Sequence, residues 1–304
     1  MSRPSELRGT WFVLPTPFTE HRSVDLDSQR GLVEAAISWG VDGLTAMGVT
    51  SEASALTSAE RSAALGAVAE AGAGRLPLVV GCSGGSAEVV VGMMREAAQA
   101  GAVAAMVSAP PGHEDVETLP DFFGRISREG GLPLVVQDEP TATDVVLPPA
   151  LLLRCLEASG ARTVKLEDAP TPPKIARLLE ADPGLRVFGG LGGVSALAEL
   201  ERGACGTMTG FAFPEILRAV REALERGDAA GAAAHFDRFL PLIRFEAQPD
   251  VGLAIRKELL RRRGAVRTAV TRRTGPLAQE VLQGLDEVLG RVGIEPGREP
   301  LEID

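Results

Sequence analysis

Leu132-Pro133-Leu134-Val135-Val136 is followed by the amphipathic stretch Pro148–Ala158, and then by Ala161-Arg162-Thr163-Val164-Lys165-Leu166-Glu167-Asp168. A short apolar run, a helical stretch and a second short run make a strand–helix–strand unit. Such runs are apolar without alternation, which is how parallel strands read when both faces are covered. The same unit recurs in both directions. The runs are Thr10–Leu14, Gly43–Ala46, Leu76–Gly81, Ala102–Val107, Leu132–Val136, Arg162–Lys165, Leu185–Phe188 and Gly203–Met208. The helical stretches between and after them are Leu26–Trp39, Ser58–Ala71, Ala87–Ala100, Val116–Glu129, Pro148–Ala158, Thr171–Leu179, Gly193–Arg202 and Pro214–Arg226. Eight such units specify an α/β fold, a (β/α)8 TIM barrel. A doubly wound open sheet would place a glycine-rich phosphate turn after the first strand, where Pro15-Thr16-Pro17 stands instead.

After residue 226 the strand signals stop. Asp228–Phe239, Pro249–Arg263 and Gly275–Val292 read as helices, with Asp228 and Asp250 as expected N-caps and Gly264 as a stop. The expected division is a barrel catalytic domain over 1–226 and a C-terminal helical appendage with a polar tail over 227–304.

Composition excludes some classes of function. The net charge is −10 and the isoelectric point is near 5.0, which argues against nucleic-acid or anionic-membrane partners. Arg261-Arg262-Arg263 reads as a solvated helix end. No apolar stretch reaches spanning length and the first residues carry no signal-peptide core. Cys82, Cys155 and Cys205 are dispersed and odd in number, so a reducing cytoplasm is expected. His21, His113 and His235 are too scattered for a metal site, and we expect neither metal nor cofactor.

Chemistry in such a barrel belongs to the C-terminal ends of the strands. Lys165 closes the sixth run, in a chain with three lysines against twenty-eight arginines. Arginine stays protonated, whereas a desolvated lysine becomes a nucleophilic amine, so Lys165 is a candidate Schiff-base residue. The competing reading is a lysine paired with Glu167 or Asp168. The turn Gly48-Val49-Thr50-Ser51-Glu52 presents backbone N–H groups and hydroxyls that suit a carboxylate. Gly189-Gly190-Leu191-Gly192-Gly193 lets a ligand approach the backbone, and a phosphorylated substrate is the alternative there. His113, in the loop after the fourth run, reads as surface or as a substrate contact. Trp11 and Trp39 read as core or interface.

These residues together resemble a known family. Gly9-Thr10-Trp11 through Leu14-Pro15-Thr16-Pro17-Phe18, the Gly48–Glu52 turn, Leu56-Thr57-Ser58-Ala59-Glu60-Arg61 and Lys165 are similar to the dihydrodipicolinate synthase / N-acetylneuraminate lyase superfamily. The resemblance spans nearly the whole chain. It implies a homo-oligomer, dimer or tetramer, whose lysine attacks the 2-carbonyl of pyruvate or a longer 2-oxo acid. It makes Lys165 that nucleophile. Thr50 becomes the carboxylate ligand, helped by the backbone of Val49 and Ser51 beside Gly48, and Met208 packs on the pyruvyl group.

The departures narrow the function. The chain has no tyrosine. Gln137, in Gln137-Asp138-Glu139-Pro140, stands where the family has a proton-carrying tyrosine; Val49 and Gly112 replace that residue's partners. Ala142 stands where synthases bind the aldehyde substrate's carboxylate with arginine. Glutamine cannot serve as a general acid or base. Some sugar-acid dehydratases of the superfamily also depart at this tyrosine. The expected function is therefore a Schiff-base lyase on a 2-oxo acid, a deoxy-sugar-acid dehydratase or aldolase. The alternatives are pyruvate condensation of the synthase kind and a non-catalytic 2-oxo-acid-binding role. The proton carrier is sought among Glu139, Glu52, Glu167, Asp168 and a water, with Gly190 near the substrate.

Overall fold

The computed structural model describes residues 7–303. Eight parallel strands alternate with helices: β1 (Gly9–Val13), α1 (Leu26–Ser38), β2 (Gly43–Ala46), α2 (Ser58–Gly72), β3 (Leu78–Gly81), α3 (Ala87–Gln99), β4 (Ala104–Ser108) and α4 (Leu119–Gly130). There follow β5 (Leu134–Asp138), α5 (Pro140–Thr143), α6 (Pro149–Ser159), β6 (Thr163–Leu166), α7 (Thr171–Ala181), β7 (Arg186–Gly189), α8 (Ala196–Glu201), β8 (Gly206–Thr209) and α9 (Pro214–Glu225). The strands close in sequence order, β1 pairing with β8 as well as β2, into the expected TIM barrel. Three further helices complete the chain: α10 (Ala229–Glu246), α11 (Gly252–Arg262) and α12 (Gln279–Val292). No helix among the described residues is long and apolar enough to cross a membrane.

Two apolar layers follow from the alternation of side chains along each strand. Trp11, Val13, Met106, Val135, Phe188 and Met208 fill the barrel interior. Phe12, Val107, Val136, Val164, Leu166 and Val187 point outward and pack under the helices.

Several boundaries differ from the sequence reading. The eighth strand starts at Gly206 rather than Gly203, since Gly203 (φ 91°) turns the chain out of α8. The helix expected from Gly193 begins only at Ala196, because positive φ at Gly192 and Gly193 breaks it. α10 runs through Pro241 to Glu246, where a stop near Phe239 was expected; Asp228 does cap it, accepting from the Gly231 N–H at 2.8 Å. Asp250 is no cap: it takes a left-handed conformation (φ 64°) and α11 starts two residues later.

The appendage is tied to the barrel by buried charge. Lys257 Nζ meets Glu52 Oε1 at 2.6 Å, and Arg263 meets Glu215 at 2.6 Å while stacking 3.8 Å from the Trp39 ring centroid. The arginine triplet is therefore not wholly a solvated helix end. Arg263 turns inward because α11 lies against the barrel, leaving Arg261 and Arg262 to pair with Glu258.

Candidate active site

Alternation aims the strand ends. Val164 and Leu166 face outward, so Thr163, Lys165 and, one step past β6, Glu167 face the barrel axis. Val136 faces outward in β5, so Gln137 and Glu139 share the inner face. The register places Gln137 directly beside Lys165. These four side chains meet at a cavity of about 70 Å³ at the C-terminal mouth. Val13, Val49, Thr50, Gly192, Met208, Thr209, Gly210 and Arg256 complete its wall.

Lys165 is only 6% exposed, and its Nζ lies 2.9 Å from Glu167 Oε2. Gln137 Nε2 donates to Glu139 Oε2 at 2.8 Å and to Glu167 Oε2 at 2.7 Å. The glutamine amide thus ties the two carboxylates together, and one of them holds the lysine. Burial pushes the Glu139 carboxyl up to about 7; the negative charge of Glu167 adds to this and Lys165 opposes it. One carboxyl that titrates near neutrality thus stands close to an amine, where the resemblance leads one to look for a phenol. Thr50 Oγ1 is buried at the same cavity with no hydrogen-bond partner among the described residues.

Other expected site residues lie elsewhere. Glu52 is fully buried and faces away from the cavity: its carboxylate pairs with Lys257 and accepts the Arg272 and Arg273 N–H groups at 2.7 and 2.9 Å. Its left-handed conformation (φ 53°) at the end of the turn swings the side chain toward α11. Ser51 is also turned inward, donating through Oγ to the Leu14 carbonyl at 2.6 Å, which pins the turn to β1. Gly48 opens that turn, where a Cβ would sit 3.3 Å from Val13 Cγ1. Gly112 is exposed and away from the cavity, its N–H bonded to the Thr143 carbonyl at 2.7 Å. His113 bonds Thr118 Oγ1 at 2.8 Å within its own loop. Asp168 is engaged by Lys174 at 2.8 Å.

Gly190 acts on the site indirectly. A Cβ there would lie 2.3 Å from Glu167 Cγ, so the missing side chain leaves room for the carboxylate that holds Lys165. Gly192 is the member of that loop that lines the cavity.

One wall residue was not foreseen. Arg256 reaches the mouth from α11, and its Nε donates to Glu246 Oε1 at 2.7 Å. The only sequence signal was a cation directly after the apolar run Leu253-Ala254-Ile255, in a helix otherwise rich in charge, which does not by itself mark a wall residue.

The model of the dihydrodipicolinate synthetase family matches residues 6–291. The chain belongs to the dihydrodipicolinate synthetase family. Among relatives, the L-2-keto-3-deoxyarabonate dehydratase of Azospirillum brasilense is 32% identical over 266 residues, covering 85% of each chain. The 4-hydroxy-tetrahydrodipicolinate synthase of Acidobacterium capsulatum is 29% identical over 298 residues, covering 95% of this chain and 97% of its own. The crystal structure of dihydrodipicolinate synthase from Rhodopseudomonas palustris superposes with a TM-score of 0.89 at 31% identity, over 94% of this chain and 98% of that one. In this member of the dihydrodipicolinate synthetase family, Gln137 and two glutamates occupy the ground beside the strand-6 lysine.

Proposed function

We propose that the chain is a class I lyase that forms a Schiff base between Lys165 and a 2-oxo acid, and that it dehydrates or cleaves a deoxy-sugar acid. The observation that carries this reading is the Lys165–Glu167–Gln137–Glu139 network around a cavity of about 70 Å³. The Azospirillum relative, a 2-keto-3-deoxy sugar-acid dehydratase by name, supports the substrate class.

Catalysis begins as the Lys165 amine attacks C2 of the substrate, and water leaves to give an iminium. Glu167 receives the proton that the ammonium gives up, since it is already in contact at 2.9 Å. The iminium acidifies C3, and ionised Glu139 takes a C3 proton to give an enamine. The neutral Glu139 then returns that proton to the C4 hydroxyl, which departs as water as the C4–O bond breaks. Loss of a C5 proton and return of one to C3 then leave a C4–C5 enol that tautomerises to the C5 carbonyl, and hydrolysis of the imine frees the amine and the 2,5-dioxo product. One carboxyl near pH 7 serves both transfers because its two forms are almost equally accessible there. Gln137 moves no proton; it orients the two carboxylates.

The synthase relatives favour condensation of pyruvate as a second reading. Ala142 and the absence of any tyrosine weigh against it. Homo-oligomeric assembly and a reducing cytoplasm remain parts of the proposal, the first read by light scattering. The division of the chain at residue 226 is also part of it, with the appendage completing the mouth rather than folding apart. The test of function is product formation. Incubation with 2-oxo-3-deoxy aldonic acids should yield the 4-deoxy-2,5-dioxo or a cleaved product; turnover of pyruvate with an aspartate semialdehyde, and of no sugar acid, would overturn the lyase reading.

A further inference from the structure

The barrel mouth is divided by charge. Glu139 and Glu167 stand on the β5–β6 side. Across the barrel, over β8, β1 and β2, the wall is Thr209, Gly210, Val13, Val49, Thr50 and Arg256. Besides Lys165, Arg256 is the sole cation among the described residues lining the inner cavity.

Arg256 is held as a ligand-binding arginine would be. It is 6% exposed. Glu246, itself buried, accepts the hydrogen bond from Nε–H and is fixed in turn by the Ala212 N–H at 2.9 Å. Neither terminal guanidinium nitrogen donates to a protein acceptor among the described residues, although a buried guanidinium normally fills its donors. Gly210 allows the close approach: a Cβ there would sit 2.9 Å from Nη1. Arg256 also lines a second, wider cavity of about 640 Å³ that leads outward, and it shares both walls with Thr50, Val49 and Gly192. The two residues with unused donors, Thr50 and Arg256, therefore stand together at the neck between the cavities.

We infer that Arg256, through its free Nη pair, is a further ligand of the C1 carboxylate of the 2-oxo acid, beside Thr50, whose part the family resemblance already implies. The inference rests on the Schiff-base reading and extends it to substrate orientation. A carboxylate drawn to the β8–β1–β2 side points C3 of the same molecule at Glu139 on the β5 side. The reverse orientation would set the carboxylate against two glutamates. A guanidinium fork matches a carboxylate's two oxygens, and charge-assisted bonds of this kind are the strong ones. Glu246 acts as a positioning residue.

The experiment compares wild type, Arg256→Met and Arg256→Lys. Two probes are used with borohydride trapping: pyruvate, and hydroxyacetone, a ketone without a carboxylate. Pyruvate binding is also followed by calorimetry, which does not depend on an imine. The proposal expects Arg256→Met to raise the half-saturating pyruvate concentration by about 10- to 100-fold, with full trapping still reached at saturation. Hydroxyacetone trapping should change by less than about threefold, since it offers nothing to the fork. Arg256→Lys keeps a cation against Glu246, so it guards against a variant that fails to fold, and it should fall between the two. Pyruvate half-saturation within about twofold of wild type in both variants overturns the proposal, as does an effect confined to longer dicarboxylic 2-oxo acids. If wild type gives no adduct yet binds pyruvate in the calorimeter, the Schiff-base reading fails while the Arg256 comparison is decided there. Absence of pyruvate binding by either method overturns the proposal.

Discussion

Glu139→Gln separates imine formation from the chemistry that follows it. The substitution keeps the size of the side chain and its place against Gln137 Nε2, since the glutamine oxygen still accepts at 2.8 Å. It removes the one cavity carboxyl whose titration is pushed up to about 7. If ionised Glu139 takes the C3 proton, turnover in the wild type must follow its ionised share. That share is about one part in eleven at pH 6 and about ten in eleven at pH 8, so kcat should rise about tenfold across this window. Removing a well-placed general base costs about 10²- to 10⁴-fold in rate. Stopped-flow turnover and borohydride trapping on the same samples are the assay. The expected outcome is intact trapping, kcat lowered at least about 10²-fold at pH 8, and a flat profile from pH 6 to 8. Normal turnover in the variant, or a wild-type profile that falls with pH over this range, would refute the proton-carrier role.

Three other perturbations probe the support of the site. Lys257→Met leaves the fully buried Glu52 carboxylate without its cation, and should cost roughly 3–5 kcal/mol in denaturant unfolding; a loss below about 1 kcal/mol would mean the pair is not structural. Glu199, buried beneath β7, has its carboxyl pushed up to about 7, first by burial and then by Glu167, with the Thr171 hydroxyl opposing. Because the folded value lies above the unfolded one, this group's contribution is full below about pH 4.5 and is lost as pH rises to about 7, amounting to roughly 3 kcal/mol. Glu199→Gln should lack that decline, so its stability relative to wild type grows between pH 5 and 8; parallel stability curves would contradict this. Gly190→Ala drives a Cβ to 2.3 Å from Glu167 Cγ, so Glu167 must leave Lys165, and kcat should drop by about 10²-fold with stability little changed in thermal melts.

The barrel was legible because its determinant is repetitive: apolar runs spaced by helical stretches leave few other folds. The inward aim of Lys165 was legible for the same reason, since two outward neighbours, Val164 and Leu166, fix its face. The rarity of lysine was a weaker guide than it looked. All three lysines are buried, at 6%, 7% and 1% exposure, yet Lys174 and Lys257 serve buried carboxylates away from the cavity. Rarity marked burial, and only the strand-end position singled out Lys165. Glu52 was misplaced because a left-handed residue reverses the direction that a capped turn suggests, and a single sequence does not show φ. Arg256 was missed because its role depends on how α11 docks over the barrel, a contact between segments some 200 residues apart in sequence, as the Lys257–Glu52 pair shows with its separation of 205.

The central claim is that Lys165 forms a covalent imine with a 2-oxo acid. The most direct measurement is mass spectrometry of the chain after borohydride reduction with pyruvate, followed by peptide mapping. With only three lysines the assignment is unambiguous. The account predicts one reduced pyruvyl adduct per chain, carried by the peptide containing Lys165 and absent from Lys165→Arg. An adduct on Lys174 or Lys257, or none with any 2-oxo acid tried, would contradict it.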